Sequence, residues 1–478
     1  MQIRISIVRE LPSVTLSSEG PLRLSWEGGE YRCNGDALVL SWISPGQVTY
    51  RVCVEDYGSP QLPEGFEPMT AGTQLGDLDM REAWLCQTHP TLEEAQKARE
   101  DLLAREIHAY VRRHLSRSGR IRVEPSGRPP FEVPGPLRIT PASGVVTFHE
   151  IPYGAGFHWE RREDETYGGR FDVYADDLGL LVVNETDLEH YLMVVNSSEM
   201  HPDAPMEVLK AQTVAARSTV LATRGKHHFG EPFDLCNTDH CQVYRGLQQV
   251  RDSSRQAVEE TRGEVLVYGN SVADTRFAKT CGGILEAKEF VWGGRPLPYL
   301  MAKPDTDQPN PEFTPPLDTE EKARAFINAR PDAFCHLKPN EIPYIGDPLY
   351  RWEIRYTAQE LRDIIRRKTG QDPGDLLALV PQKRGASGRI YLLEIQGSQR
   401  TLRVFTELEI RRVLSPSHLP SSLFYVVQEG DEWVLRGAGW GHGVGMCQVG
   451  MVKMAQRGYD YRQILQHYYP GTELRRVV

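Results

Sequence analysis

The chain has 478 residues, 65 of them acidic and 55 basic, for a formal net charge of −10, with 40% hydrophobic and 25% charged residues. This is a globular composition, long enough for roughly two to four domains and at least one large core. The acidic balance argues against a nucleic-acid binder, which would show a basic stripe, and leaves neutral polymers such as glycans open. No apolar run of about 18 residues occurs, so no transmembrane helix is expected.

In chain order, Met1–Arg9 alternates like a strand and lacks the apolar core of about 7–15 residues that marks a signal peptide. Either the protein stays in the cytoplasm or the sequence lacks its export signal. Alternation continues in runs such as Gln47–Val54, and a Pro/Gly-rich loop follows from Gly58 to Gly72. Thr91-Leu-Glu-Glu94 matches a capping box that opens a charged amphipathic helix expected to reach Leu115. A strand at Ile121–Glu124 precedes two Pro/Gly clusters, Pro125–Pro130 and Pro134–Pro136, which read as a linker. The expected division is therefore a small N-terminal αβ region, residues 1–130, and a larger α+β domain, residues 131–478.

Within the larger region, Arg170–Tyr174 and Leu178–Val183 read as strands around a turn at Asp176-Asp177. Thr186-Asp-Leu-Glu189 is a second capping box, opening a short helix with Leu188, Leu192 and Val195 on one face. A long helix follows from Asp203 or Pro205 to Arg224. Residues 255–300 read as strands, and 304–350, rich in proline and charge, as a surface insertion. A helix at Ala358–Lys368, a strand at Arg389–Ile395 and helices at Met446–Arg457 and Tyr461–Tyr468 complete the chain.

Four places carry residues suited to chemistry. Glu199 ends the short helix, where the partial negative charge of the helix terminus favours a protonated carboxyl, as a general acid requires. Cys236-Asn-Thr-Asp-His240-Cys241 sets two thiols and an imidazole within six residues, a zinc-like donor set. His228, with His227 as the near alternative, supplies an upstream fourth donor, and Cys281 is a further candidate. With all four positions filled by protein, such a metal is structural. Trp440-Gly-His442-Gly-Val-Gly445 is a glycine-rich turn before a helix. It lets backbone approach a ligand, lacks the Lys-Ser/Thr of a P-loop, and leaves His442 to contact a sugar hydroxyl or orient substrate. Arg217, on the long helix, could clamp a substrate carboxylate or pair with Glu199 or another acid. Each feature has a plain structural alternative: a surface glutamate, buried thiols, a turn, a salt bridge. The eight cysteines give only weak grounds for disulfides.

Taken together and in order, several stretches resemble the SpoIID/LytB family, the stage II sporulation protein D-like proteins of bacterial cell walls. They are Leu188–Met200, Leu209–Arg217, Asp234–Tyr244, Cys281-Gly-Gly283, Val291–Gly294, Gly437–Gln448 and His467–Thr472. The resemblance covers roughly residues 170–475. It implies a peptidoglycan lytic transglycosylase with Glu199 as acid/base, or a non-catalytic enhancer of a wall amidase. It implies a substrate site with Arg217, Gln242, Tyr244 and His442, and Lys303 as a weaker member. It also implies zinc at Cys236, His240 and Cys241 with an upstream histidine, taken as His228. Peptidoglycan glycan strands and other wall hydrolases are the implied partners, and an extracytoplasmic, periplasmic or wall location follows. The strand–helix–strand run of residues 1–130 faintly resembles the sporulation-related repeat that binds peptidoglycan glycan. The sequence departs from the family pattern at Ser197, at His201 between Met200 and Pro202, and at Cys447, where serine is usual.

Overall fold

Alternation in the first ten residues does what it predicts: Gln2–Leu11 forms a strand that buries Ile3, Ile5 and Ile7. The computed structural model describes residues 1–58, 60–153, 161–338 and 340–477. Its helices in chain order are α1 (Leu92–Ala104), α2 (Leu188–Glu199), α3 (Met206–Thr223), α4 (Asp252–Glu260), α5 (Lys288–Trp292), α6 (Glu320–Ala329), α7 (Ala358–Thr369), α8 (Glu407–Val413), α9 (Gln448–Gln456) and α10 (Tyr461–Tyr468). With many strands in several sheets, the fold is α+β. No described helix is long and apolar enough to cross a membrane.

The chain forms two compact units. The first comprises Met1–Pro202, Gln212–Asp274 and Arg475–Val478. Its seven-stranded sheet runs in the order Leu235–Cys236, Gln2–Leu11, Leu180–Asp187, Arg170–Ala175, Leu137–Pro141, Leu22–Trp26, Gly29–Cys33. A six-stranded sheet that includes Ser13–Ser17, Leu38–Ser44 and Val145–Tyr153 feeds the same core, in which Leu16, Leu40, Phe148, Phe171, Val182 and Leu192 are all fully buried. A four-stranded sheet packs separately on α1 around Val52, Ala95 and Leu102. The strand Leu180–Asp187 is held on one side by Gln2–Leu11 and on the other by Arg170–Ala175, then runs directly into α2. That junction aims the end of α2.

The second unit comprises Asp203–Ala211 and Thr275–Leu474. Two three-stranded antiparallel sheets, one of Trp352–Thr357, Glu432–Gly437 and Phe424–Glu429 and the other of Leu376–Arg384, Ile390–Gly397 and Thr401–Phe405, share a core with α7 and α8. Phe277–Ala278 pairs in parallel with Met446–Cys447, and Ile284–Leu285 pairs with Lys303–Pro304.

Several expectations change. The division at residue 130 does not coincide with the compact units, because the N-terminal strands are members of sheets completed by residues 137–187. The two Pro/Gly clusters expected as a linker are short turns between successive strands, Arg120–Pro125, Phe131–Pro134 and Leu137–Pro141, each of which pairs with a neighbour. α1 stops at Ala104, and Tyr110–Arg117 pairs with Gln47–Glu55 as a strand. The cap of α2 is Asp187, which accepts from the Glu189 N–H, whereas Thr186 is buried in the preceding strand. α4 occupies part of the region read as strand. The segment read as a surface insertion buries Phe313, Phe326, Ile327, Phe334 and Cys335. Cys53 and Cys86 form a disulfide, lying directly opposite each other on Gln47–Glu55 and Glu82–His89. Their 33-residue separation gave no spacing signal.

Candidate functional site

Glu199 is the last residue of α2 and is half-buried. Its Oε1 accepts from the Val243 backbone N–H at 3.0 Å, so the carboxylate is held against the segment that follows the cysteine–histidine run. The helix end beneath it is fixed from several sides. Asn196 donates to Thr213 Oγ1 at 2.8 Å on α3 and accepts from Ser254 Oγ at 2.9 Å on α4. The Arg251 guanidinium donates to the Ser197 and Met200 carbonyls at 3.0 and 3.2 Å. Its positive charge offsets the partial negative charge of the terminus, the influence expected to hold Glu199 protonated.

The cysteine–histidine run folds as a metal-like cluster. Ligand atoms of His228, Cys236, His240 and Cys241 all lie within 4.8 Å of one another. Cys236 is fixed by the parallel pairing of Leu235–Cys236 with Ile5–Ser6. His228 Nε2 sits 3.3 Å from Cys241 Sγ, while its Nδ1 meets Glu231 Oε2 at 2.6 Å; Glu231 in turn pairs with Arg9. His240 Nδ1 stands 3.6 and 3.5 Å from the sulfurs of Cys236 and Cys241. The Cys236 thiol is pushed well below its ordinary value, chiefly by hydrogen bonding to Cys241, against the opposing effect of burial. Two soft sulfurs, two imidazoles and a carboxylate fixing one ring's tautomer fit zinc. Of the two upstream histidines, His228 is the one within this group. Cys281 belongs to a different cluster.

The remaining candidates have polar groups engaged within the protein. Arg217 is 1% exposed, bidentate to Glu189 at 2.6 and 3.1 Å, with a third bond to the Glu264 carbonyl. Its partner is thus Glu189 at the start of α2. Gln242 is buried, accepting from the Tyr191 hydroxyl and donating to the Ala216 carbonyl. Tyr244 is buried, donates to Asn184 and packs between the rings of Tyr191 and Tyr167. Lys303 donates to the His467 carbonyl, and its ammonium is pushed down by burial, with Asp305 acting oppositely.

In the second unit, the glycine-rich turn bends through Gly441, Gly443 and Gly445, at φ of 101°, 74° and 72°. At Gly443 a methyl group would lie 2.3 Å from the Arg389 guanidinium, so only glycine fits. His442 Nδ1 accepts from the Val444 N–H at 3.0 Å, and its ring stands edge-on to Trp292. Burial, then Arg276, Arg411 and Arg389, pushes the imidazole down to about 3, so it is neutral at physiological pH. Trp440 is exposed beside it.

Residues not read as site candidates also shape these sites: Glu189, Arg251 and Asp305. Glu189 was legible only as half of a capping box, and its actual partner lies 28 residues away.

Residues 176–268, which hold Glu199, Arg217 and the cysteine–histidine cluster, match the family described as "Stage II sporulation protein". Residues 286–445 match a family described only as a domain of unknown function. Among curated relatives, an uncharacterised protein of Brachyspira hyodysenteriae is 33% identical over 65% of this chain and 72% of its own. A Bacillus subtilis protein named amidase enhancer is 27% identical over 58% of this chain, which spans 39% of that longer protein. Stage II sporulation protein D of Bacillus amyloliquefaciens is 25% identical over 61% of this chain and 75% of its own. The chain belongs to the SpoIID/LytB family, the stage II sporulation protein D-like proteins.

Proposed function

We propose that this protein acts on the bacterial cell wall as a peptidoglycan lytic transglycosylase, with Glu199 as its acid/base. The observation that carries the reading is the placement of Glu199: a half-buried carboxylate on a rigid helix end, oriented by the Val243 N–H. One carboxylate suffices for this reaction. Protonated Glu199 donates to the glycosidic oxygen as the bond from C1 of N-acetylmuramic acid to that oxygen breaks. As carboxylate it then takes the proton of the substrate's own C6 hydroxyl while that oxygen bonds to C1. The leaving strand keeps the first proton, the enzyme regains the second, and a 1,6-anhydro sugar results. Because the nucleophile is intramolecular, no second carboxylate is needed to activate water. His442, neutral and flanked by exposed Trp440, is proposed to contact the glycan.

Zinc held by His228, Cys236, His240 and Cys241 would have four protein ligands and so would brace the segment leading to Val243. The Cys53–Cys86 disulfide supports an extracytoplasmic setting. Glycan binding by residues 1–130 belongs to the same proposal.

The test is purified protein with defined glycan strands, with and without stem peptides, read by mass spectrometry. Anhydromuramyl ends are expected, and Glu199→Gln should lower their formation by at least about 100-fold, the usual worth of a general acid, while preserving the fold. The second reading, a non-catalytic enhancer of an N-acetylmuramoyl-L-alanine amidase, is favoured by the relative named amidase enhancer. It expects no anhydro ends and a faster amidase in mixture, unchanged by Glu199→Gln.

A further inference from the structure

A second cluster lies in the other unit. Cys281, Asp305, Cys335 and Cys447 are each at most 1% exposed, and one ligand atom from each lies within 4.8 Å of the others. They come from four separate places: Cys281 just after the strand Phe277–Ala278, Asp305 just after Lys303–Pro304, Cys335 beyond α6, and Cys447 at the cap of α9. Cys281 Sγ is 3.5 Å from Cys335 Sγ and 3.1 Å from Asp305 Oδ2. A tetrahedral ion with bonds of about 2.3 Å to sulfur holds its sulfurs roughly 3.8 Å apart, so the cluster is at ligand spacing.

Three further observations separate this group from ordinary packed thiols. First, backbone N–H groups point at the sulfurs: those of Cys281 and Gly450 at Cys447 Sγ, both 3.3 Å, and that of Gly283 at Cys281 Sγ, 3.4 Å. Donors aimed at sulfur favour thiolate over thiol. Second, Asp305 is oriented through its other oxygen, with His467 Nε2 3.0 Å from Oδ1, the outer support that metal-binding carboxylates receive. Third, the Tyr468 hydroxyl is fully buried and has no hydrogen-bond partner among the described residues. A methyl group on Gly450 would stand 2.3 Å from that hydroxyl, 2.7 Å from Asp305 Oδ2 and 3.3 Å from Cys447 Sγ, so all three converge on one small space.

We propose that Cys281, Asp305, Cys335 and Cys447 form a second, structural metal site for a soft divalent ion, zinc or its equivalent. With four protein ligands it has no open position for chemistry. Each thiol gives up its proton to solvent as the ion binds, and the ion with the neighbouring Lys303 ammonium offsets three of the four negative charges of the three thiolates and the Asp305 carboxylate. Asp305 and Cys335 lie within the segment matched by the domain of unknown function, and Cys281 and Cys447 flank its two ends. The ion would tie both ends of residues 286–445 to the middle. The site is independent of any role for Glu199.

The test is metal content of the whole protein, purified without chelator, by plasma mass spectrometry and native mass. Folded Cys335→Ser should carry one ion per chain fewer than the unsubstituted protein, and Cys447→Ser the same. The cobalt-loaded variants should lose part of the thiolate charge-transfer absorption. On the unsubstituted protein, where folding of a variant is not at issue, Cys281, Cys335 and Cys447 should resist alkylation until a chelator is added. They should regain protection together when zinc is restored. Unchanged metal content in folded Cys335→Ser overturns the proposal. So do alkylation rates at these three residues that ignore the chelator, or a Cys281–Cys335 disulfide in protein kept free of oxidant.

Discussion

A buried guanidinium is tolerated only when its donors are used, and Arg217 uses three: two on Glu189 and one on the Glu264 carbonyl. This arrangement makes Arg217 a brace between α3 and the first turn of α2, where its partner Glu189 lies two residues before Tyr191 and ten before Glu199. Breaking a buried pair costs far more than replacing it with matched apolar groups. Glu189→Ala should therefore lower stability by about 3 kcal/mol in urea unfolding, whereas the double variant Glu189→Leu/Arg217→Met should recover most of that loss. A loss below about 1 kcal/mol for Glu189→Ala, the range of an exposed pair, would return Arg217 to the substrate site. The same logic explains why Arg217 was legible as a salt-bridge residue but its partner was not. The pair joins residues on two helices, and only the packing of α3 on α2 brings them together.

α2 is the element on which the proposed chemistry rests, and both of its ends are satisfied. Asp187 caps the start, and Arg251 covers two carbonyls at the finish. Arg251→Met should destabilise the fold by about 2 kcal/mol, since hydrogen bonds from a charged donor contribute roughly 1.5–3 kcal/mol. Any glycan cleavage should fall further than stability alone accounts for, because the terminus carrying Glu199 frays. A variant that loses stability yet keeps full turnover on the folded fraction would detach Glu199's alignment from this cap. α2 and α3 were legible because apolar residues recur at helical spacing over whole turns. α1 was overextended because the charged residues Arg112, Arg113 and Arg117 continue a helix-like pattern, although their segment pairs with Gln47–Glu55. α4 was missed because its nine residues bury only Ser254, Ala257 and Val258, too little for an apolar stripe. The metal-like cluster at Cys236–Cys241 was legible from local spacing. The cluster at Cys281, Asp305, Cys335 and Cys447 was not, since its members are spread over 167 positions of sequence and meet only through tertiary structure.

At the scale of the whole molecule, partly buried histidines make stability depend on pH in a definite direction. In the second unit, burial and neighbouring cations push His442 down to about 3, and burial with Arg411, Lys368 and Arg412 pushes His418 down to about 4. Both are depressed from an ordinary value of 6.5. Above pH 6.5 neither state of the chain binds these protons, and their contribution is fully present. As pH falls below 6.5 the unfolded chain takes up both protons while the folded chain does not, so stability falls until the folded values are reached. Glu286 acts in the opposite sense: burial pushes its carboxyl up, so its contribution is present at low pH and is lost as pH rises through its folded value. Carboxylates held down by arginines, such as Asp172 beside Arg138 and Arg4, add their own loss only at lower pH. The histidines are therefore isolated by difference. Urea unfolding at pH 7.0, 6.0 and 5.0 should show stability dropping across this range, and the double variant His442→Gln/His418→Gln should show a shallower drop, with the gap between the two curves opening below about pH 6.5. Parallel curves would mean that these rings titrate alike in the folded and unfolded chains.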